Sequence, residues 1–330
     1  MPVSPVPTDA TWTSRPDIAE TVMEASLSMN MEGMIGGLVM PVYEAKRQGG
    51  EFPIIPRSVL FQMAETIRAN GGSYNLIGIK YGKGNYSTED HGLGSPVDKR
   101  LAAMVEDYFD AEVETAEIVR NIVLTNYEQR VSDAIMDVVK YVPNGSLATW
   151  LSGGVPNSLA KPILDVEARV QSLYSRGIVA NAMVMSWNTF RNLRNMQEII
   201  DRVSSNGAGS PTKSEDITPA MLSSVFALPH IIVGKAQKQT ANEGQTSSLA
   251  TIWPQKYVSV CRVARPGARL TEPCIGRTFH WDGAGSKFGG AFDSWVEPNI
   301  KGTVVRMCME TDEKYIIDDA NELIDTETAA

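Results

Sequence analysis

The apolar residues between Val113 and Val142 recur at steps of three, four and one. This spacing places them on one face of a helix with 3.6 residues per turn. They are Val119, Ile122, Val123, Tyr127, Val131, Ala134, Ile135, Val138, Val139 and Val142. The opposite face is polar and includes Arg120 and Glu128, and Pro143 ends the pattern. We therefore expect one helix of about thirty residues, roughly 45 Å long, which suits a structural strut or an ordinary amphipathic core helix.

Two segments before this helix are poorly suited to an independent core. Residues 1–50 combine early prolines with a methionine-rich stretch, Met23 to Met40. Methionine adapts to irregular surfaces, so we expect an arm that lies across another subunit or domain. The alternative is a frayed helix of the chain's own core. Residues 74–97 join an alternating apolar run to glycines and to the charged cluster Glu89 to His91, which predicts a protruding hairpin rather than a central strand.

After the long helix, helical and strand patterns alternate. The predicted helices are Ile163–Arg176, Trp187–Val203 and Ile217–Phe226, and the apolar strands between and after them are Ala182–Met185 and His230–Gly234. This order predicts an α/β subdomain. From Ala250 onward strands dominate, namely Lys256–Ala264, Arg277–Trp281 and Thr303–Glu310.

Composition narrows the class of protein. With 330 residues, of which 43% are hydrophobic, the chain can bury a large core in two subdomains. It has no apolar run of the roughly eighteen residues that a membrane helix needs and no signal-peptide pattern, which favours the cytoplasm of the producing cell. A net charge of -9 argues against broad affinity for a phosphate backbone. The acidic residues near the C-terminus predict a solvated tail; they are Asp312, Glu313, Asp318, Asp319, Glu322, Asp325 and Glu327.

The residues that carry chemistry form no recognisable site. Gly207–Ser214 nearly matches a phosphate-binding loop, but Thr212 replaces the second glycine and a helical pattern precedes it. The three histidines, His91, His230 and His280, lack metal-ligand spacing. The cysteines Cys261, Cys274 and Cys308 form no CxxC pair and are expected to be reduced thiols. We therefore expect no catalytic residue, no cofactor and no metal, and a protein that is not an enzyme.

Several local sequences, taken in order, resemble the major capsid proteins of tailed bacteriophages, whose shell fold is named after phage Hong Kong 97. They are Tyr86 to Asp98, Asn126-Tyr127-Glu128 within the long helix, Ala180 to Ser186, Ile217 to Gly234, Gly276 to Trp281 and Val304 to Ile324. The resemblance extends from about residue 50 to the end of the chain.

The resemblance implies an α+β, Hong Kong 97-like fold with five parts. These are an N-terminal arm (1–50), the start of the peripheral domain with an extended loop at about 74–97 (51–100), a spine helix (101–148), an α/β axial domain (149–250), and strands that return to the peripheral domain with the C-terminal segment (251–330). Deletion of residues 78–94 is then expected to leave folded subunits that cannot form shells.

The function implied by the resemblance is assembly. Copies would associate as pentamers and hexamers into an icosahedral shell around double-stranded DNA, without sequence-specific binding and without a membrane. The shell would form in the host cytoplasm and become the virion capsid, with portal, scaffolding or decoration proteins as further partners. The expected contacts between subunits are Tyr81, Lys83, Tyr86, Glu89, Asp90, Met31 and Met34. An encapsulin-like nanocompartment and a soluble α/β enzyme are the alternatives.

Overall fold

The computed structural model describes residues 13–14, 33–68, 70–106, 110–152, 155–204, 217–242 and 244–329. Its strands are β1 (Thr13–Ser14), β2 (Val42–Ala45), β3 (Gly49–Ile54), β4 (Gly82–Ser87), β5 (Glu89–Asp98), β6 (Asn144–Ser146), β7 (Leu151–Ser152), β8 (Val155–Pro156), β9 (Ala182–Ser186), β10 (His230–Gly234), β11 (Gln237–Gln239), β12 (Leu249–Thr251), β13 (Tyr257–Cys261), β14 (Gly276–Trp281), β15 (Ala291–Glu297), β16 (Gly302–Tyr315) and β17 (Asn321–Ala329). Its helices are α1 (Gly36–Val39), α2 (Arg57–Leu60), α3 (Lys99–Val105), α4 (Ala111–Ile135), α5 (Pro162–Ser175), α6 (Trp187–Arg194), α7 (Gln197–Ser204) and α8 (Pro219–Phe226).

Two sheets organise the chain. The first follows the order β1-β15-β16-β14-β2. Strand β5 pairs with the edge of β16 opposite the one that pairs with β15. The second follows the order β10-β9-β13-β17-β6. Strand β9 is buried along its whole length because β10 and β13 flank it and helices pack on the sheet. Strands β11 and β12 pair antiparallel as a separate two-stranded sheet.

One hydrophobic core connects the two sheets through the long helix α4. This helix contacts β5 and β16 and buries Val119, Val123, Tyr127, Val131 and Ile135, as the periodicity predicts. The same cluster of buried side chains continues into the second sheet. A smaller cluster around the ring of Phe279 lies where β3 and β4 meet the first sheet.

The long helix is shorter than the sequence pattern predicts. It begins at Ala111, where the Asp110 carboxylate accepts a hydrogen bond from the Glu112 amide at 2.8 Å, and it ends at Ile135. The predicted extension to Val142 is wrong because the Asp137 side chain accepts hydrogen bonds from the amides of the next turn, at 2.8 and 3.2 Å. Beyond the end, Val138, Val139 and Val142 of the predicted stripe are exposed. At 25 residues, the helix is about 37 Å long.

The acidic C-terminal segment is not a solvated tail. Strand β17 pairs with both β13 and β6 inside the second sheet. The Glu322 carboxylate binds the guanidinium of Arg176 and lies 3.8 Å from that of Arg169, and Asp325 lies 3.3 Å from the Lys256 ammonium. The prediction failed because it compared the acids only with basic residues nearby in sequence, whereas their partners are up to 262 residues away, as in the pair of Asp319 with Arg57.

The domain limits also need correction after residue 250. Strands β13 and β17 belong to the second sheet with β9, whereas β14, β15 and β16 belong to the first sheet. The strands of residues 251–330 are therefore divided between the two sheets, whereas the prediction placed them together. The single helix expected over 187–203 is likewise two helices, because the chain turns at Asn195 and Met196.

The extended loop lies earlier in the chain than the pattern predicts. Its two arms are β3 and β4, which pair from Gly49 with Ser87 to Ile54 with Gly82, and residues 55–81 connect them. We call residues 55–81 the long loop. All ten residues of β5 pair with β16, so the predicted limits of 74–97 are wrong. Deletion of residues 78–94 would remove β4 and part of the ten-residue ladder between β5 and β16. We therefore expect the subunit not to fold after this deletion, contrary to the prediction from the sequence.

Two kinds of feature are absent from the described part of the chain. None of the described helices combines the length and apolar character needed to cross a membrane. Among the described residues, no group of three or more His, Cys, Asp or Glu side chains is arranged to hold a metal ion. The segment that nearly matches a phosphate-binding loop, residues 207–214, lies outside the described residues.

Candidate assembly surfaces

The long loop exposes a large set of apolar side chains. Met63 and Leu76 are 97% and 95% exposed. More than half of the surface is also exposed for Leu60, Phe61, Ile67, Tyr74, Ile77, Ile79 and Tyr81. Soluble monomers rarely leave so many apolar side chains uncovered in one segment, and such patches mark sites of contact with other molecules.

The base of this loop is fixed to the second half of the molecule. Arg57 in α2 donates a hydrogen bond to the backbone carbonyl of Arg176 at 2.6 Å and another to the Asp319 carboxylate. The ring of Phe61 lies against Gly177, where an added Cβ would come within 2.6 Å of it. Gly177 also has a φ of +75°, which favours glycine. The loop therefore starts from a defined position even though its far part is uncovered.

The arms of the loop are held by aromatic packing. The Tyr86 ring stacks on Phe279 at 4.6 Å between centroids, and Phe52 lies 5.0 Å from the same ring. Gly84 lies directly over Phe52, and a Cβ there would be 2.4 Å from the ring. Tyr86 is thus half-buried in its own subunit, although the sequence indicated it as a contact between subunits.

The other predicted contact residues differ in their exposure and in the contacts that they already make within their own subunit. Tyr81 is 61% exposed, whereas the exposed Lys83 ammonium forms an ion pair with Glu51 at 2.7 Å. Glu89 and Asp90 are exposed at the start of β5. Asp90 lies opposite Glu310 on β16; burial, followed by the charge of Asp90, raises the pKa of Glu310.

The predicted arm is only partly free for contact with a neighbour. Ile35, Val39 and Met40 are buried in the chain's own core, and Met34 is half-buried against it. This part of the arm follows the alternative interpretation, a helix of the chain's own core. Met31 lies outside the described residues.

A buried carboxylate anchors the described end of the arm. Glu128 is 0% exposed and accepts hydrogen bonds from the Ile35 amide at 2.8 Å, the Gly36 amide at 2.7 Å and the Trp253 indole at 2.7 Å. Burial raises the pKa of Glu128, and the three hydrogen bonds oppose that shift. Glu128 joins α4, α1 and the segment after β12.

The sequence interpretation placed Glu128 on the polar face of the helix, and the structure shows that this was wrong. A signal was present, because Glu128 follows Leu124 by four residues and precedes Val131 by three, which places it on the apolar stripe. Arg120 is also buried; its Nε donates to the carbonyl of Gly289 at 2.8 Å. Polar residues on the apolar stripe thus mark buried contacts to other segments.

The arrangement of the long helix, the two sheets and the loop can be compared with solved structures. A phage-related protein from Bordetella bronchiseptica RB50 superposes with a TM-score of 0.69 at 20% identity, covering 96% of this chain and 99% of that one. The capsid protein of cyanophage P-SCSP1u gives a TM-score of 0.57 at 10% identity, covering 87% and 86%. This chain has the fold of phage capsid proteins. The predicted α+β, Hong Kong 97-like fold class is confirmed.

Sequence comparison leads to the same group of proteins. The major capsid protein of Pseudomonas phage JBD67 is 23% identical over 269 residues, which cover 81% of this chain and 82% of that protein. No family model matches the chain. The predicted resemblance to tailed-phage major capsid proteins is thus confirmed, whereas the contact residues between subunits stay predictions.

Proposed function

We propose that this protein is a phage major capsid protein whose copies associate as pentamers and hexamers into an icosahedral shell around double-stranded DNA. The observation that carries the proposal is the long loop, which exposes Met63, Leu76 and other apolar side chains on a chain with a capsid fold. The name of the relative from Pseudomonas phage JBD67 supports the same function.

The physical basis is a contact between different surfaces of identical copies. Such head-to-tail contacts close into rings when the rotation between copies is suitable. Burial of an exposed Met or Leu side chain contributes about 1.5–3 kcal/mol, so a few loop side chains supply a substantial driving force at each contact. Tyr81, Lys83, Tyr86, Glu89 and Asp90 remain candidate contact residues, as do Met31 and Met34 in the arm.

The charge of the chain suits a container for DNA. A net charge of -9 disfavours binding of the packaged phosphate backbone to the shell wall. The proposed role is structural rather than enzymatic, and it places the protein in the virion capsid after assembly in the host cytoplasm. Portal, scaffolding and decoration proteins are the further partners included in the proposal.

The first test is the size of the purified protein, measured by light scattering and negative-stain imaging. We expect rings or closed particles of megadalton mass. A stable monomer or dimer under all assembly conditions would contradict the proposal and favour the alternative of an α/β enzyme. Closed particles that enclose a protein cargo instead of DNA in the producing cell would identify a nanocompartment instead.

A second test removes the apolar loop side chains without disturbing the fold. The double variant Met63→Ser, Leu76→Ser should keep the wild-type melting temperature, because both side chains are almost fully exposed, but should lose assembly. Val139→Ser is the matched control because Val139 is 88% exposed and lies outside the loop. Equal particle yields from the double variant and the wild type would show that the loop is not an assembly surface.

A further inference from the structure

We propose that a cavity between the base of the long loop and the body of the same chain binds an apolar molecule that carries a single carboxylate group. We call it the loop-base cavity, and its volume is about 340 Å³. One wall comes from residues 53–61 and the other from segments after α5, β13 and β16. The inference goes beyond the proposed assembly function and does not depend on it.

The lining of the loop-base cavity is mostly apolar. Its most buried side chains include Ile178 and Ile316, which are 3% and 8% exposed. Leu60, Phe61 and Val179 also line it and are 61%, 63% and 61% exposed. Small-molecule sites are typically cavities of about 300–1,000 Å³ with a lining of this kind. A bound apolar molecule would remove the three exposed side chains from water, which favours binding.

Contacts within the chain hold the two walls of the cavity in place. On the loop side, Arg57 donates hydrogen bonds to the Arg176 carbonyl at 2.6 Å and to the Asp319 carboxylate. On the opposite side, the Ile316 amide donates to the Ile275 carbonyl at 3.0 Å. Because these walls are already positioned in the free chain, a ligand does not have to order them when it binds.

One guanidinium group in the lining is available to an anion. Among the described residues, the lining contains two basic side chains, Arg57 and Arg262, and no acidic one. Arg57 is paired with Asp319. Arg262 instead donates from Nε to the Pro273 carbonyl at 3.0 Å and from Nη1 to the Val179 carbonyl at 2.9 Å. Within the described part of the chain it has no ion pair, and its Nη2 makes no hydrogen bond.

The lining and the charge together select the class of ligand. Two carbonyl groups orient the Arg262 guanidinium without neutralising it, and a carboxylate forms charge-assisted hydrogen bonds with such a group. An inorganic anion would leave the apolar lining uncovered. An uncharged apolar molecule would leave the guanidinium without an anion. An apolar molecule with one carboxylate satisfies both parts of the cavity.

Calorimetric titration of the unassembled subunit tests this site. The probe is decanoate, and the control is decyltrimethylammonium, which has an alkyl chain of similar length and the opposite charge. We expect decanoate to bind with a stoichiometry of one per chain and to raise the melting temperature. Decyltrimethylammonium should bind at least about tenfold more weakly. No binding of decanoate, or equal affinity for the two probes, would overturn the inference.

Substitution of Arg262 tests the assigned charge. Arg262→Gln should weaken decanoate binding about tenfold or more and remove the preference over decyltrimethylammonium, because a charged hydrogen-bond donor is lost. Arg262→Lys keeps the charge and should retain part of the preference. The melting temperature without ligand shows whether each variant is folded. A folded Arg262→Gln variant that binds decanoate as the wild type does would contradict the assignment.

Two valines with equal exposure give a matched pair of variants that test the cavity itself. Val179 lines the cavity and Val155 does not, and both are 61% exposed. Val179→Trp should block decanoate binding because the indole occupies the space, whereas Val155→Trp should bind as the wild type does. If Val179→Trp does not fold, Thr271→Trp replaces it, since Thr271 is an exposed residue of the same lining. Undiminished binding in the folded cavity variant would overturn the inference.

Hydrogen exchange shows where the ligand binds and keeps the test independent of assembly. Decanoate should slow exchange in peptides that cover residues 55–61 of the wild type and should have no such effect in Val179→Trp. Protection confined to other segments would overturn the inference. None of these measurements requires particles, so absence of binding leaves the proposed function intact. Subunits that bind decanoate as described but never form shells would support the inference and contradict the proposed function.

Discussion

Two adjacent glycines of α1 give a matched test of the anchor that Glu128 provides. At Gly36, an added Cβ would lie 2.7 Å from Glu128 Oε2, 3.2 Å from Tyr127 Cε1 and 3.4 Å from a methyl group of Val131. At Gly37, an added Cβ would meet nothing within 4 Å. The substitutions Gly36→Ala and Gly37→Ala thus change the same chemistry one residue apart.

The structure sets the expected magnitudes. Ordinary Cβ contacts begin near 3.4 Å, so the methyl group added by Gly36→Ala forces α1 away from Glu128 by several tenths of an ångström and weakens the hydrogen bond from the residue 36 amide, now 2.7 Å long. A hydrogen bond to a charged group contributes about 1.5–3 kcal/mol, and the helix-propensity gain of alanine offsets up to about 1 kcal/mol. We expect Gly36→Ala to lower the free energy of unfolding by about 1–2 kcal/mol and Gly37→Ala to raise it by up to about 1 kcal/mol.

The assay is urea unfolding of the unassembled subunit, followed by tryptophan fluorescence. Trp253 donates to the same carboxylate as the Gly36 amide, so its emission should also differ between folded Gly36→Ala and wild type. If both alanine variants are equally stable, or if Gly36→Ala is the more stable one, the anchor contributes nothing measurable and the argument is wrong.

Three further predictions concern buried groups. Glu128→Ala leaves three buried donors without an acceptor and should cost about 3–5 kcal/mol in urea unfolding, whereas exposed Asn126→Ala on the same helix should stay within about 0.5 kcal/mol. Because burial raises the pKa of Glu128 above 4.5, its stabilising contribution is fully present below that pH and declines as pH rises through the folded-state pKa. Wild type should therefore lose stability relative to Glu128→Gln over this range, and a pH-independent difference would contradict the assignment. Burial raises the pKa of Cys261 to about 12 and also raises that of Cys274, so neither thiol should react with iodoacetamide before unfolding, as counted by mass spectrometry.

Regular periodicity accounts for the part of the fold that the sequence predicted well. The buried face of α4, strand β9 and helix α5 lie where the apolar spacing placed them, because each forms its pattern within a single short segment. The order of these elements also carried the resemblance to capsid proteins. The spacing of residues within one segment does not indicate a partner that lies far away in sequence. The wrong predictions concern residues and strands that have such distant partners.

The loop shows this limit clearly. Its first arm, β3, pairs with β4 across the long loop, so the hairpin could be located only by knowing the ladder from Gly49 to Ile54. Glycines in β5 indicated a protrusion, yet β5 lies along β16, where an added Cβ at Gly92 would come within 3.0 Å of the Met307 carbonyl. Close backbone approach, rather than an exposed turn, explains this glycine.

The structure separates what holds one subunit together from what remains for other copies. Arg57, Phe61, Tyr86 and Glu128 secure the loop base, the loop arms and the arm end within one chain. The apolar side chains beyond them contribute little to the fold of the single copy because they contact little of it. A subunit must stay soluble before it meets its partners, and the net charge of -9 opposes premature association of these apolar surfaces. The long loop is a local exception to that negative charge, because residues 55–81 contain three basic residues and one acidic residue, so this repulsion opposes contacts of the loop less than contacts of the remaining surface.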